Sequence, residues 1–133
     1  MYGWRGKIGL IIPSLNNTME PEFNEMVPKG VAVYATRLFL DKGLPDEMEE
    51  MAANVEKAAE CLRTADVGGI VYGCTSGSLI KGIGWDRDII RRIEERAGIP
   101  ATTTARAVVK AFKELGVKSV AIATPYIEEV NMI

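Results

Sequence analysis

Two hydrophobic patterns alternate along this chain. Near-continuous apolar runs occur at residues 7–12 (KIGLII), 31–38 (VAVYATRL), 69–72 (GIVY), 99–102 (IPAT) and 118–123 (KSVAIA). Runs of this length predict strands buried on both faces of a parallel sheet. The second run mixes Ala, Thr and Arg into its far end, as expected at a sheet edge. Between the runs the apolar residues recur at helical spacing. Residues 19–27 predict a short helix with Thr18 as N-cap. Residues 44–63 predict one long helix with Met48, Met51, Ala52, Val55, Ala58, Ala59 and Leu62 as its buried stripe. Its acidic residues, Glu47, Glu49, Glu50, Glu56 and Glu60, are expected on the solvated face. Residues 86–97 predict a third helix, closed by Gly98. A fourth runs from Thr103 or Thr104 to Leu115, with Ala105, Val108, Val109, Phe112 and Leu115 facing inward and Gly116 as its stop. Residues 127–131 begin a fifth.

Strands alternating with helices predict an α/β fold with right-handed crossovers. The expected architecture is a three-layer sandwich around a central parallel sheet in the order 2-1-3-4-5, as in flavodoxin-like lobes. The 133 residues fit a single lobe over 1–133. A net charge of −2 and the lack of a basic run give no nucleic-acid footprint. No apolar stretch is long enough to span a membrane, and the opening residues lack a signal peptide's apolar segment. Two cysteines, Cys61 and Cys74, make no disulfide framework, so a reducing cytoplasm is the expected compartment. The chain has no histidine, which excludes histidine triads, Cys–His dyads and histidine metal ligands.

The third strand ends in Gly73-Cys74-Thr75-Ser76-Gly77-Ser78. Glycines bring backbone N–H groups close to a ligand, and the hydroxyl residues add donors. A cysteine here is either a reactive thiol or a buried structural residue before an ordinary loop. In parallel sheets, ligands bind beyond the carboxyl ends of the strands. Three polar loops lie at such ends: 13–18 after the first strand, 73–78 after the third and 124–126 after the fifth. They are expected to face one cleft. None has the glycine spacing of a dinucleotide or P-loop site. Ser14, Asn17, Thr18 and Ser78 read as loop and cap formers.

Together, Pro13-Ser14-Leu15-Asn16-Asn17-Thr18-Met19-Glu20, Gly73-Cys74-Thr75-Ser76-Gly77-Ser78 and Ala123-Thr124-Pro125-Tyr126 with Glu129-Val130-Asn131 resemble the aspartate/glutamate racemase superfamily. The likeness is to its branch of maleate cis–trans isomerases and arylmalonate decarboxylases. It implies the first of two similar lobes, with the active site between them and the second lobe absent from this chain. Cys74 matches the first-lobe cysteine of the isomerases and racemases, a position where the decarboxylases have none. The resemblance implies catalytic roles for Cys74 and Tyr126, substrate contacts from Asn16, Thr75 and Ser76, and no metal or organic cofactor.

A thiolate can add to an activated double bond or remove a proton beside a carboxylate. Both routes place charge on a carboxylate oxygen, where Thr75, Ser76, Tyr126 and backbone N–H groups can donate. The expected ligand is a small carboxylate or dicarboxylate. The expected partner is a second copy or a second-lobe fragment, through the face near Tyr126. Alternatives are a truncated or stand-alone lobe that binds without turnover, and an arylmalonate decarboxylase-like activity. A receiver-like signalling domain fits the layers but lacks an acidic cluster in the first loop.

Overall fold

Gly6–Pro13 form β1, and because its second half is buried, its backbone N–H and C=O groups need a strand on each side. In the computed structural model, which describes residues 2–132, β2 (Val31–Leu38) and β3 (Gly69–Tyr72) both pair with β1 in parallel. β4 (Ala101–Thr103) continues the sheet beside β3, giving the order β2-β1-β3-β4. Met1 and Ile133, the limits of the expected lobe, lie outside the described residues. Leu10, Ile11 and Ile12 are almost wholly buried. Each such side chain contributes about 1.5–3 kcal/mol over its exposed state. β2 is an edge strand and only half-buried, as its mixed composition predicts.

Helices flank the sheet on both faces. On one side lies α1 (Met19–Met26), whose Phe23 lines a shallow groove with Ile8 and Val71. On the other lie α2 (Pro45–Ala53), α3 (Val55–Thr64) and α4 (Trp85–Ala97), packed over Ile11, Ile70 and Tyr72. The stripe from Met48 to Leu62 is buried throughout, but the single long helix predicted over 44–63 is two helices. Asn54 breaks it with φ −101° and ψ 8°, and its Nδ2 donates to Glu50 O. An asparagine side chain competes for backbone partners in this way and so interrupts helices. No described helix is long and apolar enough to cross a membrane.

The fifth strand does not form. Residues 118–123 have no strand pairing, and Val120 and Ile122 are exposed. α5 (Thr104–Glu114) forms as expected, but its expected inner face is uncovered: Ala105 is buried, whereas Val108, Val109, Phe112 and Leu115 are exposed. A parallel strand needs a ladder on one side and cover on both faces. β4 offers only three residues as a ladder, and the α1 side of β3 and β4 is an open groove.

Four of the acidic residues expected on the solvated face of the long helix have partners: Glu49 pairs with Lys81 and Glu60 with Arg96 at the surface, and Glu47 and Glu56 are held more closely. Glu47 Oε2 accepts from the backbone N–H groups of Lys42 and Gly43, both at 2.9 Å. Glu56 forms a forked pair with Arg92 at 2.5 and 2.8 Å, and Arg92 Nη2 also donates to Ala52 O. This pair ties α3 to α4. The Arg92 hydrogen bond holds the Glu56 carboxyl below the ordinary carboxylate range, with burial opposing it. A depressed carboxyl contributes stability above its unfolded value and loses it as pH falls through the folded value. Arg92→Ala is therefore expected to cost about 1–2 kcal/mol at neutral pH, discounted for the pair's partial exposure. In urea melts, the gap from the parent chain should shrink in acid. A gap independent of pH would show that Arg92 acts through packing and its hydrogen bond to Ala52 O rather than through Glu56.

Candidate active site

The chain leaves β1 at Pro13 and must turn into α1 within a few residues. Asn16 makes that turn. Its Oδ1 accepts from Met19 N at 2.9 Å and Thr18 N at 3.1 Å, so Asn16 supplies the capping oxygen expected of Thr18. Because both partners are N–H donors, Oδ1 is fixed as the acceptor and Nδ2 remains a donor with no protein acceptor among the described residues. Arg37, at the end of β2, steadies the loop by donating to Ser14 O at 3.1 Å and Asn16 O at 2.7 Å. Ser14 Oγ bridges the backbone of Leu40, as a loop former should.

The second loop leaves β3 through Gly73, whose N–H still donates to Ile11 O at 2.8 Å. Cys74 follows and is 8% exposed. The chain then winds into a tight turn, Ser76–Ser78, rather than directly into a helix; α4 begins only at Trp85. Ser78 is fully buried and structural, donating through Oγ to Thr75 O at 2.8 Å. Trp85 Nε1 donates to Gly77 O at 3.0 Å and anchors the far side of the turn.

The turn aims one backbone donor at the sulfur. Gly77 N–H points to Cys74 Sγ at 3.3 Å, and Ser76 Oγ lies 3.9 Å away. Burial nevertheless dominates and pushes the thiol above its ordinary value, with the Gly77 N–H and the Ser76 hydroxyl pulling it down. Cys61 is exposed on α3 and lines a separate groove with Phe39 and Met51.

All five residues singled out from the sequence line one cleft of about 630 Å3: Asn16, Cys74, Thr75, Ser76 and Tyr126. The third loop reaches it although the strand expected before it is absent. Asn131 holds that loop by donating through Nδ2 to Tyr126 O at 2.9 Å, and its Oδ1 accepts from the Thr124 hydroxyl. α6 (Glu128–Asn131) follows and contributes Val130 to the cleft.

The sequence reading missed Lys42, Met48 and Thr104, which line the same cleft. Among the described lining residues Lys42 is the only base and Glu22 the only acid. Lys42 lies in the loop after β2, so the carboxyl-end rule would have found it had it been applied to every strand. Among the described residues no cluster of His, Cys, Asp or Glu is suited to hold a metal ion.

Comparison with known proteins places this geometry in a family. A maleate isomerase of Pseudomonas putida is 28% identical over 134 residues, covering 92% of this chain and 54% of that protein. An arylmalonate decarboxylase of Bordetella bronchiseptica is 27% identical over 124 residues, covering 93% of this chain and 51% of that one. The chain thus spans about half the length of the curated relatives it matches. The crystal structure of the maleate isomerase Iso from Pseudomonas putida S16 superposes with a TM-score of 0.87 at 26% identity, over 96% of this chain and 56% of that one. A variant of that enzyme has been solved with maleate. The model of the arylmalonate decarboxylase family matches residues 8–133. With its parallel sheet and this match over nearly its whole length, the chain belongs to the arylmalonate decarboxylase family.

Proposed function

We propose that this chain is one lobe of a cofactor-independent isomerase or racemase that acts on a small dicarboxylate through the Cys74 thiolate. One observation carries the reading: a single cleft collects Cys74 with the donors of Asn16, Thr75, Ser76 and Tyr126. The relatives are about twice as long, so the opposite wall of the cleft is assigned to a second half. That half is either a further segment or a separate chain, and it would cover the apolar side chains exposed near Tyr126.

In this reading the Asn16 amide, its oxygen already committed to the α1 turn, donates Nδ2–H to a substrate carboxylate. The sulfur adds to one carbon of a cis double bond. The electron pair of that bond moves into the adjacent carboxylate, giving an enediolate. Thr75, Ser76 and Tyr126 donate to its oxygens. The former double bond is now single and rotates, and collapse of the enediolate expels the thiolate and leaves the trans isomer. A racemisation would instead have the thiolate remove the proton beside the carboxylate, with an acid of the other half replacing it on the opposite face. The test is an NMR assay of the protein with its second half, in deuterated water, against maleate, aspartate, glutamate and an arylmalonate. Addition and rotation give fumarate from maleate without deuterium beside the carboxylate. Proton removal gives deuterium there. No conversion and no exchange with any of the four would end the proposal.

Because burial raises the Cys74 thiol, little thiolate exists at neutral pH. The rate is therefore expected to climb with pH and to level off only above the ordinary thiol range. A profile that levels off near neutrality would assign the reacting group elsewhere.

A second reading has one observation in its favour. The sulfur is held by one amide and one distant hydroxyl and is paired with no charged side chain. On that basis the lobe alone binds a carboxylate without turnover. Titration of the chain with maleate, followed by the Asn16 amide resonances, separates binding from catalysis.

A further inference from the structure

The hydroxyl of Tyr72 is the one buried side-chain oxygen or nitrogen among the described residues without a hydrogen-bond partner. Tyr72 is 1% exposed and ends β3, two residues before Cys74. An unpaired buried hydroxyl costs folding free energy that a phenylalanine of the same shape would not. A packing role therefore does not explain it.

What surrounds the hydroxyl suggests what it does. A Cβ placed on Gly77 would stand 2.8 Å from Cys74 Sγ, 3.0 Å from Tyr72 Oη and 3.1 Å from Met51 Cε. The sulfur, the hydroxyl and the methionine methyl thus converge on one point, and they fit there because residue 77 has no side chain. The sulfur already takes the Gly77 N–H at 3.3 Å and has Ser76 Oγ at 3.9 Å. The other groups that bear on the site are few. From α2 comes the uncharged Met51. From α4 comes the charge of Arg92, itself paired with Glu56 of α3 and 4.0 Å from Asp88.

A neutral thiol is a weak acceptor, whereas a thiolate is a strong one. A hydroxyl left idle beside the thiol would gain a partner when the sulfur ionises or when charge returns to it as it leaves. We propose that Tyr72 is a positioning residue for Cys74: its hydroxyl and the sulfur close the gap left between them, and the hydroxyl donates a hydrogen bond whenever the sulfur carries negative charge. The interaction exists only in the charged state, so it favours the reactive form without stabilising the resting one. It also supplies what the site otherwise lacks, since no histidine or ionised side chain stands at the sulfur. Burial and the neighbouring sulfur both push the phenol itself above its ordinary range, so it stays protonated and remains a donor.

The inference rests on Cys74 as the reacting thiol, but its readout is ionisation and needs no turnover. In a Cys61→Ser background, the rate of iodoacetamide labelling at Cys74 is followed against pH. Tyr72→Phe is expected to raise the midpoint by about one pH unit, which is about tenfold slower labelling at neutral pH. The melting temperature should stay level or rise, because a buried unpaired hydroxyl has gone. An unchanged midpoint in a folded Tyr72→Phe chain would overturn the proposal. Site-specific 3-fluorotyrosine at position 72 keeps the shape and makes the hydroxyl a better donor, so it should move the midpoint down. Should Tyr72→Phe fail to fold, this second arm decides alone, and an unmoved midpoint there would equally overturn it. Turnover that survives Cys74→Ala would remove the functional reading and leave the Tyr72 profile standing. An unmoved profile with Cys74-dependent turnover would remove only the present inference.

Discussion

Cys74→Ala is expected to lower isomerisation or racemisation by roughly three orders of magnitude or more, the scale on which loss of a nucleophile acts. Cys61→Ala should leave the rate nearly unchanged. The contrast follows from where the two thiols sit. Cys74 lies two residues past the end of β3, opens on the cleft and receives the Gly77 N–H, whereas Cys61 is exposed on α3 and lines a different groove. Cys74→Ser separates chemistry from packing, since it keeps a small polar side chain in the same buried position but replaces the thiol with a far weaker nucleophile. Its rate should fall as far as that of the alanine variant while its melting temperature stays near the parent value. The assay uses the protein completed by its second half, with maleate as first substrate. Full turnover by Cys74→Ala would move the chemistry to a thiol of the other half and leave this lobe the tasks of binding and orientation.

The second large effect is expected at the residue just before that cysteine. A Cβ on Gly73 would overlap Met19 Sδ and stand 2.8 Å from Met19 Cε and 2.9 Å from Ile12 Cγ2. Gly73 does not adopt a positive φ, so the cost of Gly73→Ala is steric rather than conformational. Ile12 is 1% exposed and fixed in β1, which leaves Met19 as the group that must give way. Overpacking of this kind costs about 1–3 kcal/mol. Met19 is the first residue of α1, and its N–H is one of the two that hold Asn16 Oδ1. A shift there would turn the Asn16 amide away from the cleft. Gly73→Ala should therefore lower the melting temperature and raise KM together. Gly6→Ala is the control, because nothing lies within 4 Å of its Cβ position. A Gly73→Ala protein as stable as the parent would show that Met19 can vacate the site and that the loop does not depend on this contact.

Particular elements show which features were legible before any coordinates. The run at 7–12 is apolar without alternation, and β1 is one of the two central strands, β1 and β3, with neighbours on both sides. The spacing from Met48 to Leu62 marks the buried stripe residue by residue, even though Asn54 divides the helix beneath it. The first two loop motifs fall at strand ends because glycine, asparagine and hydroxyl residues serve turns and ligands alike, and the third reaches the same cleft without its strand. That is why Asn16, Cys74, Thr75, Ser76 and Tyr126 arrive at one cleft.

Other features needed neighbours remote in sequence. Residues 118–123 have the composition of a strand, yet their state depends on a ladder and cover that β4 and the α1 side do not provide. The apolar face of α5 is equally clear in the pattern and equally uncovered in the fold. Glu47 reads as a surface acid until the loop at 42–44 brings its N–H groups to the carboxylate. The Cys74 thiol is raised because the packed lobe removes it from water, and its donors depend on the winding of the turn after it. Periodicity records which side chains favour burial, because each residue's transfer free energy is its own. What covers a face, and how far a group's charge is favoured, depend on several segments packed together. The sequence by itself therefore determined β1–β4 and most of the helices, their apolar faces and the residues gathered at one cleft. Only the tertiary structure decided which of those faces were covered and that Cys74 is held as a buried thiol with an unpaired tyrosine hydroxyl beside it.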